Sequence, residues 1–393
     1  MSENDFYRLT TPTVWAEAPE RFSFSSLNAM GTCLRRWQLL HSKFPSFARY
    51  PERPSEAAAV GTIVHDLLSR LLGAMVLAGY PAAGSTAFGD AIVSVEILRI
   101  ARAKLADFKA STTGSPRAGG MRLKTTPRDV YNKVCELFHG EYAGMSGTTV
   151  VAALPKARAL EDAGAAYEDR LRLLTLRRLL SEETLRHPTL PLMGIIDLLV
   201  HRDGKTTVID FKTGAVHAGY RAQLAFYALL WWRATGDLPA TIEVRYATGA
   251  ESWEVTEEEL VAVERGVEKD IARIRDGLKP ALAIATIGEH CSMCGVRQLC
   301  RDYWQRAPVL GPAPTVASWV DAEVWVDGTA APAGFMGRDG EGRAIPVVFD
   351  EEVGFAWAPF VVGEGVRLLG AAREAETGVL RITKGTEVFR TLA

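Results

Sequence analysis

The chain is short of most features that mark a specialised class. It holds five cysteines in 393 residues, too few for a disulfide scaffold. In the cytoplasm, the compartment this usage implies, clustered thiols bind metal more often than they pair. Neither charge dominates: Lys+Arg 45 stand against Asp+Glu 47, a net of -2. That excludes a histone-like or arm-like nucleic-acid binder, though not an enzyme that meets DNA in a local basic groove. No apolar run approaches the roughly 18 residues of a membrane span, so no membrane partner is expected. The opening Met1-Ser2-Glu3-Asn4-Asp5 is polar and acidic, unlike a signal peptide. There is no internal repeat and no G-x-x-x-x-G-K-[ST] phosphate loop, so the chain carries no P-loop motor of its own. The remainder is globular in composition, 48% hydrophobic and 23% charged. Its length exceeds what one core usually holds and predicts one large and one small domain.

Charge divides the chain unevenly. Residues 311–393 carry 12 acidic and 7 basic side chains, a net of -5, which leaves +3 for residues 1–310. The proline-rich stretch 307–314 reads as a linker. Beyond it lie short alternating runs separated by glycine, around 324–326, 345–349, 366–370 and 379–382. These predict a small C-terminal all-β domain over 315–393, an OB-like barrel being one form. The net of -5 favours a protein partner or a structural cap over phosphate contact there. In the first part, Ser55 is placed to cap a helix over 57–77, and further helices are predicted over 91–109, 156–180, 217–234 and 256–276. Thr256-Glu257-Glu258-Glu259 fits a capping box. The Gly/Ser/Thr/Pro-rich stretch 111–128 reads as a mobile loop.

The chemistry gathers in residues 193–214. Asp203-Gly204 is a strong two-residue hairpin signal between two β-branched runs. With that turn as centre, Asp197 faces Asp210 with Cβ atoms roughly 4.5–5.5 Å apart, and Lys212 projects from the same face as Asp210. Apolar neighbours on both faces (Ile195, Leu199 and Val208; Ile196, Leu198, Ile209 and Phe211) mark a buried central strand. Two buried carboxylates this close need a cation between them, and oxygen ligands suit Mg²⁺ or Mn²⁺. A surface hairpin with an ordinary salt bridge is the competing reading.

Gly194-x-x-Asp197 followed by Ile209-Asp210-Phe211-Lys212-Thr213-Gly214 resembles the core of the PD-(D/E)xK nucleases, in their RecB-type branch. Gly61-Thr62-Ile63-Val64-His65 resembles that branch's G-x-x-x-H helix, Gln223 to Tyr227 its Q-x-x-x-Y motif, and Ser23 to Asn28 with Cys33 to Trp37 its opening segment. The resemblance covers about residues 22–305. It implies an α/β, restriction-endonuclease-like mixed central sheet flanked by helices, with the nuclease domain over 1–306 and a helical insertion at about 66–180. It also implies His65, Asp197, Asp210 and the carbonyl of Phe211 as metal ligands, Lys212 as catalytic lysine, and Gln223 and Tyr227 as positioning residues. Glu182 and Glu183 are read as solvated, with a further active-site carboxylate as the alternative.

Cys291-Ser292-Met293-Cys294 with Cys300 and the remote Cys33 suggest a metal site. Zinc favours two local pairs, Cys₄ ligation also suits an iron–sulfur cluster, and His290 keeps a mixed zinc site open. The arrangement is similar to the iron–sulfur staple of some RecB-type nucleases, including the CRISPR-associated adaptation exonucleases and the AddB nuclease domain, which implies a structural 4Fe-4S cluster. Cys135 is left as a small buried hydrophobe. The expected function is a divalent-metal-dependent DNA nuclease, an exonuclease on single-stranded or end-containing DNA in recombination, repair or defence. The alternative is a catalytically silent nucleic-acid-binding or scaffold subunit that works with a separate helicase or integrase chain. Trp37, Trp231 and Trp232, each beside arginines, are candidates for stacking single-stranded bases, with core packing as the competing reading for Trp231 and Trp232.

Overall fold

A computed structural model of the chain describes residues 7–79, 81–113, 115, 117, 123–145, 179–202, 204–214, 219–246, 248–279, 283–306, 310, 313–329, 334–350, 353 and 360–391. The nuclease-like part begins with two short helices, α1 (Phe24–Thr32) and α2 (Leu34–His41). Four longer helices follow: α3 (Glu56–Leu77), α4 (Thr86–Ser94), α5 (Ile97–Thr113) and α6 (Pro127–Met145). Then come β1 (Leu179–Arg186), β2 (Met193–Arg202), β3 (Lys205–Phe211), α7 (Gly219–Thr235), β4 (Thr241–Tyr246), β5 (Gly249–Glu254) and α8 (Glu257–Leu278). The five strands form one sheet in order β1-β2-β3-β4-β5, antiparallel except for the parallel β3–β4 pair. The strand expected at the centre is at the centre.

Each face of that sheet has its own core. Ile196, Leu199, Val208, Ile242 and Val244 pack with α7 and α8. Leu198, Ile209 and Phe211 pack with α3 to α6. Helix α3 starts where Ser55 accepts from Ala58 N–H (3.3 Å) and buries Val60, Val64, Leu67, Leu68, Leu71 and Met75 at helical spacing. It is also long and apolar enough, by length and composition, to cross a membrane. His65, Asp66 and Arg70 interrupt it, so it contains no uninterrupted apolar run of that length.

Three expectations change. The helix predicted over 91–109 is two helices, broken at Glu96 with φ 50°, because a left-handed residue cannot continue an α-helix. The stretch read as a mobile loop is tied down where it is described. Glu56 accepts from Lys124 N–H, Thr125 N–H and Thr125 Oγ1, and Arg117 is buried. The capping box of α8 is half made: Thr256 accepts from Glu259 N–H at 3.2 Å, while the Glu259 carboxylate reaches Arg221 instead. The helix predicted over 156–180 lies outside the described residues except for its last two positions, which begin β1, the strand that also carries Glu182 and Glu183.

After the short helix α9 (Arg301–Arg306) the chain forms β6 (Ser318–Thr329), β7 (Gly334–Arg338), β8 (Ala344–Phe349), β9 (Gly365–Arg373), β10 (Leu380–Ile382) and β11 (Glu387–Arg390). Their order is β10-β8-β7-β6-β9-β11, and β10 also pairs with β9. Strands β6, β7, β8, β10 and β9 therefore close into a barrel around Val324, Phe335, Val347, Leu368 and Leu380, with β11 outside on β9.

One polar contact locks the site-bearing helix to the central strand. Asp237 Oδ2, in the α7–β4 turn, accepts from Trp231 Nε1 at 3.0 Å on α7 and from the buried Thr206 hydroxyl on β3. Asp237→Ala removes the acceptor that Trp231 and Thr206 share and is expected to cost about 1–3 kcal/mol, read as a lower urea midpoint with unchanged slope.

Candidate active site

The hairpin register is as the turn dictates. Gly204 takes φ 73°, and pairing runs from Arg202↔Lys205 to Leu198↔Ile209. Asp203 itself lies outside the described residues. The paired stretch ends one step before Asp197 and Asp210, in the register expected to set them opposite each other. Ile196 and Leu199, three apart, share one core while Leu198 enters the other, although the pairing of this strand with β1 keeps a single register throughout. Asp197 Oδ2 turns to the end of the neighbouring strand, accepts from Phe211 N–H at 2.9 Å and stands 3.2 Å from His65 Nδ1 on α3.

Asp210 is 3% exposed. Burial, then the charge of Asp197, pushes its carboxyl up to about 7, against the opposing pull of Lys212. Lys212 Nζ lies 2.6 Å from Asp210 Oδ2, yet that buried oxygen has no well-aligned hydrogen-bond donor. The same Nζ sits 4.8 Å from the centre of the Tyr220 ring, in cation–π range, and the Lys212 N–H donates to Arg245 O on β4 at 2.8 Å.

Of the motif glycines Gly194 and Gly61, the first is a close approach and the second an ordinary contact. A Cβ on Gly194 would meet Tyr227 Cε1 at 2.8 Å and Leu230 Cδ1 at 3.0 Å, so α7 rests directly on β2. Tyr227 in turn accepts at its hydroxyl from Gln223 Nε2 at 2.9 Å. A Cβ on Gly61 would lie 3.5 Å from Thr213 Oγ1, which brings α3 against the end of the Asp210–Lys212 strand. The structure thus gathers His65, Asp197, Asp210, Phe211 and Lys212, and packs Gln223 and Tyr227 behind Gly194. Tyr220 was missed in the sequence. Its signal was there: it lies one helical turn before Gln223 on the same helix.

Among the described residues, no three His, Cys, Asp or Glu side chains stand close enough together to hold a metal ion as they are. The expected ligands His65, Asp197 and Asp210 approach one another without forming a finished cage, because the amine of Lys212 takes the position beside Asp210. The donor set still fits a hard cation. An ill-satisfied, buried carboxylate oxygen next to a second carboxylate is what such an ion stabilises.

The four cysteines expected at the other site line one pocket, although no three of them stand close enough as they are to hold a metal ion. Cys33, at the junction of α1 and α2, lines one pocket with Cys291, Cys294 and Cys300. All four are buried. Burial pushes the thiols of Cys294 and Cys300 up, while Arg36 pulls the first down and Arg35 the second. Cys135 lies apart on α6 and is half-buried rather than buried. Trp37 and Trp231 are in the core, which removes them as stacking platforms, and Trp232 is covered by the Arg233 guanidinium at 3.9 Å.

The family model of the PD-(D/E)XK nuclease superfamily matches residues 21–301. The chain belongs to that superfamily. No curated protein matches it. Among solved structures, "Crystal structure of SSO0001" is 13% identical, covering 61% of this chain and 95% of that one at a TM-score of 0.22. "Crystal structure of the tetrameric p202 HIN2" is 19% identical over 20% of this chain at a TM-score of 0.17, and the chain spans 44% of that structure's length. A PD-(D/E)XK membership makes nuclease chemistry with Mg²⁺ or Mn²⁺ the family's general property.

Two outcomes follow from the geometry. Asp210 keeps its proton in the folded state up to about pH 7 but loses it near 3.8 when unfolded. Folded protein then binds more protons in that window, so metal-free stability falls as pH rises from 4 to 7. Urea midpoints in chelator should be lower at pH 8 than at pH 5, and Asp210→Asn should flatten the difference. Gly194→Ala drives a methyl into Tyr227 and is expected to cost about 1–3 kcal/mol in the same assay.

Proposed function

We propose that the chain is a divalent-metal-dependent deoxyribonuclease of the RecB type, hydrolysing phosphodiester bonds from single-stranded or end-containing DNA. The observation that carries the reading is the meeting of Asp197, Asp210 and Lys212 at the end of the central strand, with His65 brought to Asp197 from another helix. His65, Asp197, Asp210 and the Phe211 carbonyl would hold Mg²⁺ or Mn²⁺. When bound, such an ion lowers the pKa of water and neutralises charge on phosphate. The protein's own part is orientation. Asp197 is fixed by the Phe211 amide and His65, and the Lys212 amine is held between Asp210 and the Tyr220 ring, where it can meet developing negative charge.

The pocket lined by the four cysteines supports a structural iron–sulfur cluster as part of this proposal, zinc being the alternative ion. Arg35 and Arg36 at its wall offer positive charge to thiolates. The closed five-stranded barrel, with β8 and β10 parallel, supports an OB-like reading of residues 315–393 beyond a 307–314 linker. A helicase or integrase on a separate chain completes the proposal as partner, since no P-loop is present in the sequence.

The test is cleavage of end-labelled linear and of circular single- and double-stranded DNA by anaerobically purified protein, with Mg²⁺ or Mn²⁺, beside Lys212→Ala. Metal-dependent degradation of linear DNA that drops about 10²-fold or more in the variant is expected. Folded protein that cuts nothing under any of these conditions would overturn the reading.

A further inference from the structure

The barrel does not hang from its linker; it grips the cysteine segment. Asp321 on β6 accepts from the Arg297 guanidinium (3.1 Å to Oδ1), from the Tyr303 hydroxyl (2.8 Å) and from Gly370 N–H of β9 (2.8 Å). Arg297 also donates to Cys294 O at 3.2 Å. From β9, Arg367 donates to Gln298 O at 2.6 Å and lies over the Trp304 ring. From β11, the Glu387 carboxylate takes both Arg53 and Arg117, two bonds from each, at 2.8–3.0 Å. Arg117 carries that grip onward to Gly295 O at 2.6 Å and Pro51 O at 3.0 Å.

Apolar packing closes the same joint. Cys294 and Val296 share a core with Leu369 and Phe389 of the barrel and Leu39 of α2. The opening segment joins it, since Leu9 N–H donates to Arg390 O and Arg390 N–H to Tyr7 O. The turn 294–298 therefore has three of its carbonyls taken by arginines. Two of these arginines, Arg297 and Arg117, are held by barrel carboxylates, and the third, Arg367, belongs to the barrel. The 291–300 segment has only two single-turn 3₁₀ helices of its own. Such short helices supply little stability by themselves.

From this we infer that the C-terminal barrel is an internal clamp for the four-thiol pocket. It holds Cys291, Cys294 and Cys300 opposite Cys33, and release of the barrel releases the pocket. The inference rests on the cysteine reading of the proposed function only for its metal readout. Asp321 and Glu387 are its positioning residues. The contacts come from β6, β9 and β11.

The experiment uses the full chain, purified anaerobically. Metal release to a chelator is followed by elemental analysis and visible absorbance, and maleimide labelling of each cysteine is followed by mass spectrometry on the metal-free protein. Wild type is compared with Asp321→Ala, Glu387→Gln and the milder Tyr303→Phe. Asp327→Asn, an exposed carboxylate on the same strand paired with Arg338, is the control. In Asp321→Ala and Glu387→Gln, metal release and labelling of Cys291, Cys294 and Cys300 are expected to quicken about tenfold or more, the equivalent of one lost charged hydrogen bond. Labelling of Cys135 on α6 should not change. Equal acceleration at Cys135 marks global unfolding, and the decision then passes to Tyr303→Phe, which must still quicken labelling at the three cysteines selectively. Unchanged release and labelling in the clamp variants overturns the inference. Wild type that binds no metal, with labelling still selective, overturns the cluster reading and leaves the clamp standing.

Discussion

Asp210 sets the terms for the rest of the nuclease core. A carboxylate 3% exposed in the middle strand of a sheet, beside a second carboxylate, is an expensive group to keep. Everything around it can be read as the means of keeping it. Lys212 follows two residues later on the same side and is steadied by the Tyr220 ring. Asp197 lies just past the stretch of β2 paired with β3, and its own charge is taken up by the Phe211 amide and His65. An apolar core on each face shuts water out of the strand. A protein built only for stability would put valine at 210; the cost of the carboxylate makes sense as preparation for a cation or a phosphate.

That cost also explains why motif pieces far apart in sequence belong together. Gly194, on the strand next to the one that leads into Lys212, lies directly under Tyr227, with no space for a methyl. The hydroxyl of Tyr227 holds Gln223, and the same helix brings Tyr220 to Lys212. Helix α3 passes Thr213 at Gly61 in ordinary contact, and His65, four residues on, reaches Asp197. The glycines are contact surfaces, and the polar residues are placed by the contacts. The motifs are one packed unit.

The sequence was most legible where turn chemistry and periodicity act locally. Gly204 fixed the hairpin register, and the double-sided apolar pattern of 206–211 marked a central strand. Legibility failed where tertiary contacts decide. Strand β5, Gly249–Glu254, is almost wholly exposed, so no apolar alternation announces it. The break at Glu96 depends on one residue's left-handed backbone within an otherwise helical pattern. The bond from Phe211 N–H to Asp197 Oδ2 joins two strands at the end of their pairing, which no propensity encodes. The capping box failed for the same kind of reason, because Arg221 on a neighbouring helix outbids the local amide for Glu259.

The charge asymmetry gains a different meaning in three dimensions. A net of -5 over residues 311–393 suggested a surface that repels phosphate, yet several of those carboxylates are not at a free surface. Asp321 is matched by Arg297, and Glu387 by Arg53 and Arg117. All three arginines come from the half of the chain with the net of +3. Within the barrel Glu323 is spent on Arg367 and Asp339 on Arg343. Buried bidentate pairs of this kind confer geometry more than net stability. The two halves are complementary because they dock, and the contacts that make them so converge on the turn that presents Cys294. Charge counted along a chain cannot separate carboxylates that face solvent from those that face the chain's own arginines, and here that distinction decides what the C-terminal barrel is for.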